Sequence, residues 1–307
     1  MIFFFYMHGK LVGGPSKFIF KMLQKQINSG FFIIFETMQS VKPETVAKTS
    51  IIIPSVALGR SVQVDFYLPP HARFSDLPVL LINDGQDLSK MRFEPMLDQL
   101  YHSESLQPLL CIGIHAGLQR KLEYGTAHAP DYRSRGIHAP RYTYFIIKEL
   151  IPFIKKLLPD TTFPEWAFAG FSLGGLSALD ITWSHPHIFR TTGVFSGSLW
   201  WRSLDKADPL YSDEIHRLVH NLIQDGVYEP GLKFFFECGT ADEEEDRNHN
   251  GVIDSIDDTK DLIQELIQKG YSADEDICYL EIPGGTHDPA TWALAMPQFL
   301  KWAFGKK

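Results

Sequence analysis

Cysteine is scarce: Cys111, Cys238 and Cys278 are the whole complement of a chain of 307 residues. An odd number, each in an apolar strand-like stretch, argues against a disulfide framework and reads as reduced core residues, none of them catalytic. Long apolar runs are missing as well. Met1 to Met7 and Phe31 to Phe35 are far too short to span a bilayer. Neither shows the order of basic, apolar and small-residue regions that marks a signal peptide, so a cytoplasmic protein without stable membrane insertion is expected. Lys10, Lys17, Lys21 and Lys25 alternate with apolar residues, as in an amphipathic surface helix. Residues 1–40 are nevertheless expected to be a poorly ordered extension, with Met38 an alternative start. There is no basic excess: 29 Lys+Arg against 37 Asp+Glu give −8, which argues against nucleic acid as a partner. Internal repeats and low-complexity linkers are also absent, so 41–307 reads as one domain.

What is present is a regular alternation. Ile51 to Ile53 and Val62 to Tyr67 read as strands, the second stopping at Pro69-Pro70. Pro78 to Asn83 and Leu109 to Ile114 are apolar runs of strand length, as parallel strands buried on both faces should be. Further strands are expected at Trp166 to Ala169, Thr192 to Phe195, Lys233 to Glu237 and Ile277 to Ile282. Helical spacing marks Tyr144 to Leu158, Asp257 to Lys269 and Ala290 to Phe304. The alternation predicts an α/β fold with a mostly parallel central sheet and helices on both faces. Thr182 to Tyr228 is irregular and aromatic, the expected place for loops over a site.

The sharpest motif is Ala169-Gly170-Phe171-Ser172-Leu173-Gly174-Gly175. An apolar strand leads into this G-x-S-x-G and a helical pattern follows, the context of a nucleophile elbow. A serine needs a base, and the base an acid to hold its tautomer. In this architecture they follow in the order acid, then histidine. Asp242 is the first carboxylate beyond Cys238-Gly239-Thr240-Ala241, with Glu243 a rival. His287 lies in Gly284-Gly285-Thr286-His287 before the last helix, and of 12 histidines it has this placement. An oxyanion hole requires backbone N–H donors. Leu173, after the serine, and Gln86, in Asn83-Asp84-Gly85-Gln86, are the candidates.

From about Ile51 to Phe304 these motifs, with Ser184-His185-Pro186, Phe189, Phe195-Ser196-Gly197-Ser198 and Trp292, resemble the Putative esterase family of the α/β-hydrolases. That family includes esterase D, feruloyl and acetyl-xylan esterases, enterobactin-type siderophore esterases and mycolyltransferases. The resemblance implies the α/β-hydrolase fold and a serine carboxyl-ester hydrolase, with nucleophile, acid and base at Ser172, Asp242 and His287 and oxyanion donors at Gln86 and Leu173. No catalytic cofactor is implied. An acyltransferase on the same triad, and a non-catalytic calcium-dependent carbohydrate-binding protein, are the alternatives.

One departure from the family pattern is an insertion after Asp242. Asp246-Arg247-Asn248-His249-Asn250-Gly251-Val252-Ile253-Asp254-Ser255-Ile256-Asp257 has calcium-loop spacing. Asp246, Asn248, Asn250, the Val252 carbonyl, Asp254 and Asp257 would be the ligands of a structural calcium ion, and Asp in place of the usual final Glu weakens the site. The same residues can instead fold as a turn through their own side chains. Candidate substrate contacts are Tyr124, Trp200, Trp201 and Arg202, with Tyr132, Arg133 and Arg135 nearby. Aromatics beside arginines suit a small-molecule or carbohydrate-linked ester: a sugar, an aryl ester or an anionic acyl group.

Overall fold

The computed structural model describes residues 44–70 and 75–306; the extension expected over 1–40 lies outside them. Eight strands form one sheet: β1 (Ala47–Ser55), β2 (Arg60–Leu68), β3 (Val79–Asn83), β4 (Leu110–Ile114), β5 (Trp166–Phe171), β6 (Phe189–Phe195), β7 (Lys233–Gly239) and β8 (Ile277–Ile282). Their order is β1-β2-β4-β3-β5-β6-β7-β8. β2 is antiparallel to both neighbours, and every later pairing is parallel. β3, β4 and β5 are buried along their whole length, so their side chains divide between two cores. Val79 and Leu81 face one, Leu80 and Ile82 the other, as the two-residue period of a strand requires.

Helices cover both faces: α1 (Phe93–His102), α2 (Arg120–Glu123), α3 (Ala139–Tyr144), α4 (Ile151–Leu157), α5 (Leu173–Ser184), α6 (Asp213–His216), α7 (Leu218–Asp225), α8 (Asp254–Lys269) and α9 (Pro289–Phe304). Leu97 and Leu100 of α1 join Met296, Phe299 and Leu300 of α9 in one core. Ile154, Leu176, Leu179, Leu262 and Leu266 from α4, α5 and α8 fill the other. The single helix expected over Tyr144 to Leu158 is instead α3, a π-helical stretch Phe145–Leu150 and α4. Pro152 has no N–H to offer the ladder, and a local re-registration absorbs the loss. The sequence pattern leaves α1 unmarked, because Pro95 interrupts the spacing of Phe93, Leu97 and Leu100. Among the described residues no helix is long and apolar enough to cross a membrane.

The strand order places the site. From β3 the chain moves outward to β4, then returns to add β5 on the other side of β3. The connections leaving β3 and β5 therefore diverge and open a crevice at their carboxyl ends, where open α/β sheets bind ligands. Because β3 to β8 are parallel, the loops after β5, β6, β7 and β8 reach the same edge.

Candidate active site

Ser172 stands between β5 and α5 with φ 55° and ψ −123°, a conformation that side chains other than glycine adopt only under constraint. The constraint is visible. Its N–H donates to the Phe195 carbonyl at 2.9 Å, and its own carbonyl accepts from Gly175 (3.0 Å), Leu176 (3.1 Å) and Ser198 (3.2 Å). A Cβ on Gly170 would stand 2.4 Å from the Gly174 carbonyl oxygen, so the end of β5 crosses the first turn of α5 only because residue 170 has no side chain. The Ser172 hydroxyl lies 3.3 Å from that of Ser198.

Leu173 opens α5, and the N–H of a first helical residue has no partner within the helix. On the facing loop, Gln86 is the middle residue of a 3₁₀ turn, Gly85–Asp87. Gly85 backs onto β4 so closely that a Cβ would meet the Gly113 carbonyl carbon at 2.5 Å. The Gln86 side chain is engaged, accepting from Ala116 N–H at 3.0 Å and donating to Asp84 at 3.1 Å. Asp84 holds a left-handed backbone, φ 59°, with its carboxylate on the Arg120 guanidinium.

Asp242 follows β7 and His287 follows β8. The two loops are laced by hydrogen bonds from Ala241 N–H to the Gly285 carbonyl (2.8 Å) and from Thr240 N–H to that of Ile282 (3.0 Å). His287 Nδ1 is 3.9 Å from Asp242 Oδ2, the imidazole 41 % exposed and the carboxylate 1 %. Both Asp242 oxygens are buried without a hydrogen-bond partner. Glu243, the rival acid, points away: its carboxylate accepts the Ser255 N–H at 2.6 Å. Trp292 stands edge-on to His287 at 5.6 Å, stacks on Phe171 at 4.8 Å and donates its indole N–H to Ser196 Oγ at 2.9 Å. One aromatic thus ties the histidine loop to the residue before Ser172.

Beyond Ser198 the chain borders a cavity of about 380 Å³ lined by Tyr132, Arg133, Arg135, Trp200, Arg202, Asp205, Lys206, Glu243, Glu245 and Asp254. The Arg135 guanidinium lies 4.4 Å above the Trp200 ring and is held by Asp131. Trp200 and Arg202 therefore border open space. Tyr124 and Trp201 do not: both are wholly buried. The Tyr124 hydroxyl accepts the Asp84 N–H at 3.3 Å, and the Trp201 ring packs where Gly125 and Gly136 have no side chains. This corrects their assignment as substrate contacts. A large ring three positions from Ser198 serves the core when the loop folds inward, which residue type alone does not reveal.

In the insertion, Asp246 accepts the N–H groups of Asn250 (3.1 Å) and Gly251 (2.9 Å), and Asp257 accepts the amides of Asn248 (2.9 Å) and Asn250 (2.8 Å). Gly251 has φ 85°. These side chains converge, but Asp254 faces elsewhere, accepting Arg247 N–H at 2.7 Å and pairing with Lys206. Burial alone would raise the Asp254 pKa; those donors hold it below the usual carboxylate value. Among the described residues no group of three or more His, Cys, Asp or Glu side chains is arranged to hold a metal ion.

Residues 55–303 match the family model described as "Putative esterase". The chain belongs to that family. An iron(III) enterobactin esterase of Escherichia coli K12 is 29 % identical over 164 residues, a match taking in 52 % of this chain and 38 % of the relative. The chain therefore spans well under half of that relative's length. The crystal structure of the enterobactin esterase of Shigella flexneri with 2,3-dihydroxy-N-benzoyl-serine superposes with TM-score 0.63 at 23 % identity, over 84 % of this chain and 59 % of that one. A siderophore hydrolase from Aspergillus nidulans gives TM-score 0.60 at 18 % identity, over 87 % and 99 %. The fold is thus of the α/β-hydrolase type.

Within this family member, three residues near the site were not singled out by the sequence. Asp84 and Arg120 meet only through the fold; their sequence signal is no more than an Asp-Gly turn and a basic loop. Glu237 follows Phe234-Phe235-Phe236 within β7 and is 1 % exposed. One of its carboxyl oxygens has no partner. Burial, and then the Asp242 charge, push its pKa up to about 8. A carboxylate inside an apolar run was the available signal.

Proposed function

We propose that the protein is a serine carboxyl-ester hydrolase that works through an acyl-enzyme. Ser172 Oγ attacks the ester carbonyl carbon while His287 takes its proton, and Asp242 holds the imidazole in the tautomer that leaves Nε2 as base. The N–H groups of Gln86 and Leu173 receive the oxyanion. As the adduct collapses, His287 returns the proton to the departing alkoxide and the acyl group stays on Ser172. Water, deprotonated by the same histidine, then releases the carboxylic acid and restores the serine. The observation that supports this reading above all is the Ser172 backbone, φ 55° at the strand-to-helix turn, on the same sheet edge as the Asp242–His287 pair.

The substrate in this reading is a small ester whose acid portion is aromatic and anionic. Relatives are named for iron(III) enterobactin and for a siderophore, one enterobactin esterase was solved with 2,3-dihydroxy-N-benzoyl-serine, and Trp200 under Arg135 offers an aromatic face beside Arg133 and Arg202. The insertion is proposed to take calcium weakly. Asp246, Asn248, Asn250, the Val252 carbonyl and Asp257 supply few negative charges, and ligand charge sets affinity in such loops.

A fluorophosphonate probe tests the chemistry. It should label the native protein at Ser172 and leave Ser172→Ala unlabelled; labelling of the variant at the native rate removes Ser172 as nucleophile. A panel of esters with anionic, neutral aryl and sugar-linked groups, run with and without added alcohol, separates substrate classes and distinguishes hydrolysis from acyl transfer.

A further inference from the structure

Arg120, on the one-turn α2, is bonded to both sides of the site. Its Nε donates to Asp84 Oδ1 at 2.7 Å and its Nη2 to Asp84 Oδ2 at 2.7 Å. The same Nη2 reaches the carbonyl of Phe171 at 3.2 Å. Asp84 lies two residues before Gln86, and Phe171 lies two before Leu173. One guanidinium therefore spans the loop after β3 and the elbow after β5, each of which carries one oxyanion donor.

The surroundings make this bridge stiff. The Asp84 carboxylate is 2 % exposed, and its backbone sits at φ 59°, a conformation that must be held by contacts around it. The holding contacts are the Arg120 fork, the Gln86 amide and the Tyr124 hydroxyl. Arg120 in turn lies 5.1 Å over the Tyr124 ring. A Cβ on Gly174 would stand 2.6 Å from Asp84 Oδ2, so the carboxylate presses directly on the first turn of α5. A planar fork bonded to both oxygens of a carboxylate fixes distance and angle together, which an ammonium cannot do.

We propose that Arg120 is the positioning residue of the oxyanion hole, setting the spacing between the Gln86 and Leu173 N–H donors. The inference rests on the serine-esterase reading. Donors at an oxyanion hole act only when both lie about 3 Å from the oxygen of the tetrahedral adduct. Drift of the β3 loop away from the elbow weakens binding of that adduct, while the ground-state ester, held mainly by its side groups, is hardly affected.

The test uses the full chain with a p-nitrophenyl ester, counting functional enzyme by end-point titration with a fluorophosphonate. Arg120→Lys keeps the charge and loses the fork, whereas Asp84→Asn keeps the volume and loses the charge. Each should lower kcat per titrated site by about a hundredfold, the scale of one lost oxyanion donor, with KM nearly unchanged. A trifluoromethyl ketone, which forms the tetrahedral adduct, should bind more weakly by a similar factor, and a product acid should bind as before. Guanidinium ion should restore part of the turnover of Arg120→Ala. Native kcat and native ketone affinity in Arg120→Lys overturn the proposal; so does a fall in titre and melting temperature with kcat per site unchanged. Ser172→Ala serves as the control. If it still hydrolyses ester, the serine-esterase reading itself has failed; if it is inactive while the Arg120 variants are unimpaired, only the positioning role has failed.

Discussion

Asp242 shows how the fold chooses a side chain's partner. It begins a run, Asp242 to Asp246, in which every residue is acidic, and residue type alone cannot rank them. The fold ranks them by direction. Asp242 turns inward to within 3.9 Å of His287 Nδ1 with its carboxylate 1 % exposed, while Glu243 turns to the Ser255 N–H. An Asp242→Asn enzyme should lose turnover by roughly four powers of ten, because the amide favours the wrong imidazole tautomer. Glu243→Gln keeps an acceptor for Ser255 and should leave kcat close to native. Steady-state kinetics on both variants checks the ranking, and the reverse order would move the acid to Glu243. The sharp turn at Ser172 and the loop place of His287 were legible in the sequence because an elbow between glycines and a histidine before the last helix are local patterns. Arg120 was not, since its partners Asp84 and Phe171 are 36 and 51 residues away.

The insertion between β7 and α8 is an element with two separately held parts. Its base is pinned by protein contacts: Arg247 pairs with Asp213 (3.0 Å) and Asp258 (2.7 Å), and Asp254 N–H donates to the Glu245 carbonyl at 2.7 Å. Its tip, from Asn248 to Gly251, is held by the side chains of Asp246, Asn248 and Asp257. Calcium bound at the tip should therefore stabilise without being needed for turnover. At about ten times its Kd the ion adds about 1.4 kcal/mol, a rise of a few degrees in melting temperature. Scanning calorimetry at millimolar calcium should show this rise, and the double variant Asp246→Ala with Asp257→Ala should abolish it. An unchanged melting temperature in the native protein leaves the tip as a turn closed by its own amides. The sequence spacing foretold which residues gather here, but not that Asp254 belongs to the Lys206 and Arg247 contacts instead.

Across the whole molecule, buried carboxyls set the dependence of stability on pH. Glu237 is pushed by burial, and then by Asp242, from 4.5 to about 8, and Asp258 is pushed by burial from 3.8 to about 6. A raised carboxyl pKa means that the folded state holds protons the unfolded state has released. Its contribution is complete below the unfolded value and is lost as pH climbs through the folded one. Asp65 has the opposite sign. Burial opposes its charge, but hydrogen bonds from His115, Ser50 and Lys48 hold its pKa well below the usual value, so its contribution fades only in strong acid. Burial holds the His220 imidazole down at about 3, which opposes this trend below about pH 6.5, so the protein should weaken most plainly between about pH 6.5 and 8, with a slope of at most about 1.4 kcal/mol per pH unit from each such group. Glu237→Gln should flatten that slope. Urea melts at several pH values provide the measurement, and parallel profiles for native and variant protein would reject the assignment to Glu237.

By itself the sequence determined the layering of this protein and the place of its sharpest turn. Apolar runs such as Val79–Asn83 and Leu110–Ile114, alternating with helical patterns, require a parallel sheet covered on both faces, since each face must be hidden from water. The elbow at Ser172 is written in five consecutive residues. Tertiary structure alone decided which distant groups meet. It withdrew Tyr124 and Trp201 into the core, joined Arg120 to Asp84 and Phe171, and set Glu237 in the field of Asp242. The physical reason is that burial and pairing depend on the direction in which a side chain leaves its element. That direction follows from strand order and loop path, for which a single chain of residue types carries only weak local signals.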